Sequence, residues 1–197
     1  MSHHEHPPDL DLSRRDALRI AIGVGAAAMI PLVPAEVAAA AQRAVAGGKT
    51  VALKFFTAAQ HRTVDALTEV IIPSDERSPG ARAARVADYL DFVLNESSAE
   101  ARQAWKDGLA SLDAVSTTQF ARPFADLTAE QQIAIVTEAA RNEGSPTTPL
   151  EGFFGEAKGR TIHGYYTSEI GIHQELRYKG NQFLPEFVGC DHPEHMS

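Results

Sequence analysis

The residues best suited to chemistry lie near the carboxyl end of the chain, around its only cysteine. Cys190 is followed by His192 and His195, and zinc and copper both accept a thiolate and two imidazoles as ligands. No second cluster in the folded part of the sequence would complete the coordination shell. Cys190 could instead form a disulfide with another chain, or remain a free or buried thiol. The sequence leaves these three interpretations open.

Four titratable residues upstream of the cysteine form a second group that could transfer protons: His163, Glu169, His173 and Glu175. Neighbouring helical turns would carry them, and an imidazole and a carboxylate placed in this way can act as an acid–base pair. A histidine beside aromatic residues is more often a packing residue, and no nucleophile with an oriented base can be identified. We therefore predict no catalytic residues in this chain.

The sequence motifs that hold common cofactors are absent. The chain has no Gly-x-Gly-x-x-Gly turn after a strand, no phosphate-binding Walker loop, no Cys-x-x-Cys-His haem site and no Gly-x-Ser-x-Gly elbow. We expect this chain by itself to hold no flavin, nicotinamide, haem or ATP. A formal net charge of −8 also argues against a nucleic-acid partner, which requires clustered Lys and Arg.

The N-terminal segment has the pattern of an export signal. Arg14 and Arg15 precede an uncharged, Ala- and Gly-rich run from residue 20 to residue 34, and small residues follow at 37–40. Paired arginines before a weakly apolar run are typical of a twin-arginine signal, which would direct the protein to the periplasm. The alternative is a retained membrane anchor, but the run is shorter than a bilayer span and contains prolines. A further histidine cluster lies inside this segment: His3, His4 and His6.

An export signal on a chain without a cofactor motif indicates a partner. Twin-arginine export moves folded proteins, often because a cofactor is loaded before export. A cofactor-free chain with this signal is therefore expected to export a cofactor-loaded partner that lacks a signal of its own.

Apolar periodicity predicts an all-α fold of four to five packed helices with an extended, partly irregular C-terminal arm. We divide the chain into a signal region at 1–40, a linker at 41–56 and a helical domain at 57–197, with the arm beginning at about residue 167. Capping boxes at Thr57 and Thr128 and a cap at Ser98 predict helix starts. Five apolar faces are predicted to form the core. They are Val64, Leu67 and Ile71; Val86, Tyr89, Leu90 and Val93 in one helix from about 81 to 95; Ala101, Trp105, Leu109 and Leu112; Ile133, Val136 and Ala140; and Phe154, Ile162 and Tyr165.

The segment from residue 161 to residue 190 combines aromatic residues with glycines. Short helical pieces broken by glycine cannot bury so many rings alone. We therefore expect the aromatic residues to lie at a partner interface, because such side chains anchor interfaces. The alternative is that the two helical tyrosines belong to the core of this chain. The predicted interface residues are Tyr165, Tyr166, Tyr178, Phe183 and Phe187.

Three stretches resemble the gluconate 2-dehydrogenase subunit 3 family. The first is LTEVIIP with SPGA, at 67–73 and 78–81. The second is VADYLD at 86–91. The third is GYYTSEIG with LRYKGN and the final GC, at 164–171, 176–181 and 189–190. They occur in the family's order behind the paired arginines.

The resemblance implies a non-catalytic small subunit of a periplasmic dehydrogenase that acts on sugars or glycosides. Its large subunit would resemble the glucose-methanol-choline oxidoreductases and hold FAD, and a multihaem cytochrome c would often accept the electrons. The small subunit would form a heterodimer with the flavoprotein and act as its chaperone in maturation and export. With such a partner, Cys190 is expected to form a disulfide to the large subunit. The alternative function is an independent periplasmic helical protein that binds a metal through Cys190, His192 and His195.

Overall fold

A computed structural model of the chain describes residues 34–46, 52–76 and 78–180. Within these ranges the protein is helical and has no strand, which confirms the all-α prediction. The helices in chain order are α1 (Ala35–Val45), α2 (Ala58–Ile71), α3 (Gly80–Ala83), α4 (Val86–Asn95), α5 (Ala99–Phe120), α6 (Ala129–Ala139) and α7 (Pro149–Tyr166). A 3₁₀ turn (Phe124–Asp126) precedes α6, and a π-helical turn (Gly171–Glu175) follows α7.

Helix α4 lies at the centre of the fold. It packs against α1, α2 and α7, and its predicted face is buried in full. The face of α5 is also as predicted, with Trp105, Leu109 and Leu112 buried. The Trp105 ring meets the Phe153 ring of α7 edge to face, with centroids 5.3 Å apart. These contacts join the α5–α7 pair to the core around α4.

A buried aspartate fixes the segment that leads into α2. Asp91 of α4 is 2% exposed, and its carboxylate accepts hydrogen bonds from three successive backbone N–H groups. Asp91 Oδ2 lies 2.7 Å from the Lys54 nitrogen, and Oδ1 lies 3.0 Å and 2.8 Å from the nitrogens of Phe55 and Phe56. The carboxylate therefore satisfies donors that no helix or strand would pair.

Helix starts follow the local capping chemistry. Capping boxes begin α2 at Thr57 and α6 at Thr128, and the Ser98 hydroxyl caps α5, as predicted. A third box, which we did not predict, begins α7 at Thr148, with Pro149 in the first turn and Glu151 as its acidic member. Each box satisfies N–H groups that the first helical turn leaves unpaired.

The third box predicts a pH-dependent contribution to stability. Hydrogen bonds from the backbone N–H and hydroxyl of Thr147, with smaller contributions from Asn142 and the Thr148 N–H, lower the pKa of Glu151 to about 2. Because the folded pKa lies below its ordinary value of 4.5, the stabilisation is present above pH 4.5 and is lost as the pH falls toward 2. We expect Glu151→Gln to lower the urea midpoint at pH 7, and the difference from wild type to shrink through this window. A difference that stays constant with pH would contradict the assignment.

The prediction of one continuous helix from residue 81 to residue 95 is wrong, because this segment forms two helices, α3 and α4. Arg85 adopts a left-handed conformation, with φ 56° and ψ 41°, and separates α3 from α4. Its guanidinium holds the break, because Nε donates to Asp88 at 2.8 Å and Nη1 donates to the Val45 carbonyl oxygen at 2.8 Å. These contacts outweigh the small steric cost of a left-handed residue.

Two predicted core faces are each wrong at one residue, whereas Val136, Phe154 and Tyr165 are buried as predicted. Ile133 is 54% exposed, because α6 packs among α2, α5 and α7 through Ile135, Val136 and Ala139. Ile162 is also exposed, since the buried face of α7 runs through Ala157, Thr161 and Tyr165. In both helices several apolar residues compete for the inner face, and packing rather than spacing decides between them.

Helix α1 crosses the boundary that we placed at residue 40, so residues 41–45 are helical and not a linker. Ala41 and Val45 are buried against the core. The Gln42 side chain donates from Nε2 to the Gly164 carbonyl oxygen at 2.8 Å and to the Thr167 hydroxyl at 2.9 Å. An Ala-rich run gives little periodicity to recognise, but small side chains allow this close approach.

Candidate functional site

The proposed acid–base group does not assemble in the described part of the chain. His163 Nδ1 lies 2.9 Å from the Tyr89 hydroxyl, and burial raises the pKa of Tyr89 to about 12. The phenol therefore stays protonated and is hydrogen-bonded to the imidazole. Glu169 and His173 are exposed, and among the described residues neither they nor Glu175 form a hydrogen bond with His163. His163 is a packing residue between α4 and α7.

Tyr165 belongs to the core, so its predicted place at a partner interface is wrong and the alternative interpretation is correct. It is fully buried, and its hydroxyl lies 2.7 Å from the Ser78 hydroxyl and 3.5 Å from Glu175 Oε2. Burial raises the pKa of the Tyr165 phenol. Tyr165 therefore ties the loop before α3 to the end of α7.

The GYYTSEIG stretch builds the turn that ends α7. A methyl group on Gly164 would lie 2.8 Å from the Tyr89 ring, and one on Gly171 would lie 2.1 Å from the Tyr165 carbonyl oxygen. The Ser168 hydroxyl donates to that same carbonyl at 2.6 Å and accepts from the Gly171 N–H at 3.0 Å. Only glycine fits at both places, which gives this motif a structural role.

Exposed apolar side chains concentrate at the end of α7 and just beyond this turn. Six large apolar side chains in the described residues are exposed, and four of them lie between residues 162 and 178. We call these four the arm surface: Ile162, Tyr166, Leu176 and Tyr178. Single exposed apolar residues are ordinary, but a concentration of them is typical of an interaction site. Tyr166 and Tyr178 are thus accessible to a partner, as their predicted interface role requires.

A second apolar surface lies between the N-terminal halves of α5 and α7. This α5–α7 cleft has a volume of about 610 Å³. Its apolar lining consists of Ala101, Ala104, Trp105, Gly108, Pro149, Gly152 and Phe153. Its polar lining residues are Ser98, Glu100, Asp107 and Glu156, and no Lys, Arg or His of the described ranges lines it.

Several predicted residues lie outside the described part of the chain. They are Arg14, Arg15, Phe183, Phe187, Cys190, His192 and His195. Within the described ranges, no three His, Cys, Asp or Glu side chains are grouped so as to hold a metal ion. Helices long and apolar enough to cross a bilayer are also absent from those ranges.

The helical core, the exposed arm surface and the apolar cleft together define a small helical protein with surfaces suited to a partner. The sequence model for gluconate 2-dehydrogenase subunit 3 matches residues 58–185, from the start of α2 into the arm. The match covers more than half of the chain, which therefore belongs to the gluconate 2-dehydrogenase subunit 3 family. This family suggests an accessory subunit of a multisubunit dehydrogenase. No curated protein and no solved structure matches the chain.

Proposed function

We propose that this chain is the non-catalytic small subunit of a periplasmic FAD-dependent dehydrogenase acting on a sugar or glycoside. Membership of the subunit family carries this proposal. The paired arginines of the leader support a role in twin-arginine export, and a partner flavoprotein of the glucose-methanol-choline type would hold the FAD. A multihaem cytochrome c is the proposed third component, which would accept the electrons.

The arm surface is the proposed contact with the flavoprotein. Tyr166 and Tyr178 provide large amphipathic rings that bury apolar area while their hydroxyls hydrogen-bond at the edge of an interface. Tyr166 is the last residue of α7 and Tyr178 lies beyond the Gly171 turn, so both closely precede Phe183, Phe187 and Cys190 in the sequence. The proposed interface is therefore continuous along the sequence.

Co-purification tests this assignment directly. The chain is tagged and co-expressed with a candidate flavoprotein of the glucose-methanol-choline type, and we expect a yellow complex of the two. Tyr166→Ser with Tyr178→Ser should weaken the complex by about tenfold or more, since aromatic anchors dominate interface energies. Ile133→Ser removes an apolar side chain of α6 that is more exposed than either tyrosine, and it should have no effect. Equal weakening by both changes would exclude the arm surface as a specific interface.

The position of α1 predicts how the exported chain is processed. The small residues at 37–40 would allow signal cleavage after Ala40, but they lie inside α1. Such a cut would sever α1, remove Ala38 from the core and leave Ala41 at a frayed chain end. We therefore expect the exported chain to retain α1 intact, with its N-terminus at or before Ala35. Intact mass spectrometry measures this, and an N-terminus at Ala41 would contradict the expectation.

A further inference from the structure

We propose that the α5–α7 cleft receives an apolar side chain of the flavoprotein partner, carried on a segment flanked by Lys or Arg. This inference rests on the proposed function and adds a second contact to the arm surface. It assigns the cleft a single kind of occupant from its shape, its apolar lining and its charge.

The cleft exists because small residues face one another across the two helices. Phe153 of α7 packs directly on Gly108 of α5, where a methyl group would lie 2.0 Å from its ring. One turn earlier on α5, Ala104 and Ala101 leave the space above Trp105 unfilled. Gly152 borders this space, and a methyl group there would meet no atom within 4 Å. The volume of about 610 Å³ lies within the range of about 300–1,000 Å³ that ligand pockets show.

The lining includes a buried donor that the described residues do not satisfy. Trp105 is 1% exposed, and its indole Nε1–H has no hydrogen-bond acceptor among them. Unpaired buried N–H groups are rare in folded proteins. The nitrogen itself is closed to solvent, so the ring presents an apolar surface to the cleft and not a hydrogen-bond donor.

The charge around the cleft selects the partner. Glu100 and Asp107 are exposed beside the opening, whereas the charge of Glu156 is already paired with Arg160. Among the described residues the lining contains no Lys, Arg or His, so the carboxylates of Glu100 and Asp107 favour a Lys- or Arg-flanked segment. A second copy of this chain fits poorly, since two acidic openings would face each other and the whole chain has a charge of −8.

Filling the cleft tests the proposal. Gly152→Trp adds a large side chain at the border of the cleft, at a helical position where an added Cβ would meet no atom within 4 Å. Gly155→Trp is the matched control, because it makes the same change in the same helix, where an added Cβ likewise meets no atom within 4 Å, at a residue outside the lining. Both should preserve the melting temperature of the subunit, since replacing a helical glycine favours the helix.

The affinity of each variant for the purified flavoprotein is measured by calorimetry or surface plasmon resonance. We expect Gly152→Trp to weaken binding at least tenfold and Gly155→Trp to weaken it less than threefold. Glu100→Gln with Asp107→Asn should slow association and reduce its salt dependence, whereas Glu138→Gln on α6 should do neither. Equal affinities for the two tryptophan variants would overturn the cleft assignment alone. A wild-type chain that does not bind the flavoprotein would overturn the proposed function and this inference together.

Discussion

Replacement of Asp91 by alanine is expected to lower the free energy of unfolding by about 3–5 kcal/mol, because it leaves three inward-facing N–H groups without an acceptor. These donors belong to residues 54–56, just before α2, where Phe56 is buried with its ring 6.1 Å from that of Trp105. Loss of the carboxylate should therefore release the segment and disturb the adjoining core. Urea denaturation followed by circular dichroism measures the change.

Asp113 offers a matched control. It lies on α5 and accepts a single backbone N–H, that of Phe124, at 2.9 Å. We expect Asp113→Ala to cost about 1 kcal/mol, as for one ordinary hydrogen bond. Asp91→Asn should fall between wild type and Asp91→Ala, because the amide retains one acceptor oxygen. An Asp91→Ala change no larger than that of Asp113→Ala would show that the three bonds do not anchor the segment.

Replacement of both Arg14 and Arg15 by lysine is expected to reduce periplasmic dehydrogenase activity by more than about tenfold, because twin-arginine recognition requires the pair. Lysine retains the charge but not the planar guanidinium, so the change separates specific recognition from simple electrostatics. The flavoprotein would then remain in the cytoplasm with its small subunit. Fractionation followed by activity staining and immunoblotting measures both outcomes.

Arg19→Lys is the control for this experiment, since it makes the same change in the same segment outside the pair. We expect it to leave the distribution of the flavoprotein unchanged. Normal periplasmic activity in the double variant would exclude twin-arginine export by this chain, although it would leave the physical complex intact.

The helices that the sequence predicted well are those whose signals are local. The α4 stripe of Val86, Tyr89, Leu90 and Val93 and the capping boxes at Thr57 and Thr128 depend on residues within a turn or two of one another. A single apolar face and a side-chain cap are decided by short-range geometry, and tertiary packing only reinforces them.

The features that escaped prediction depend on residues far apart in the chain. Arg85 breaks a periodic pattern because it bonds Val45, and α1 docks through Gln42 on the end of α7. Neither partner is visible from local spacing. The competing faces of α6 and α7 likewise depend on which neighbour each helix meets.

The candidate site was predictable only in part. The aromatic content of the arm indicated an interface, and Tyr166 and Tyr178 are exposed as that role requires. Tyr165 is instead buried, and its hydroxyl is hydrogen-bonded to Ser78 in a loop that is distant in the sequence. The α5–α7 cleft was missed because it arises from small residues on two separate helices. The helical spacing of Gly152, Gly155 and Gly159 was the one sequence signal that could have indicated a thin, accessible face on α7.

The central claim is that this chain makes a flavoprotein partner active outside the cytoplasm without catalysing the reaction itself. The most direct measurement is the periplasmic dehydrogenase activity of cells that express the flavoprotein with or without this chain. We predict that activity and flavin appear in the periplasm only when both are expressed, and that this chain expressed alone gives neither. Full periplasmic activity from the flavoprotein alone, or turnover by this chain alone, would contradict the claim.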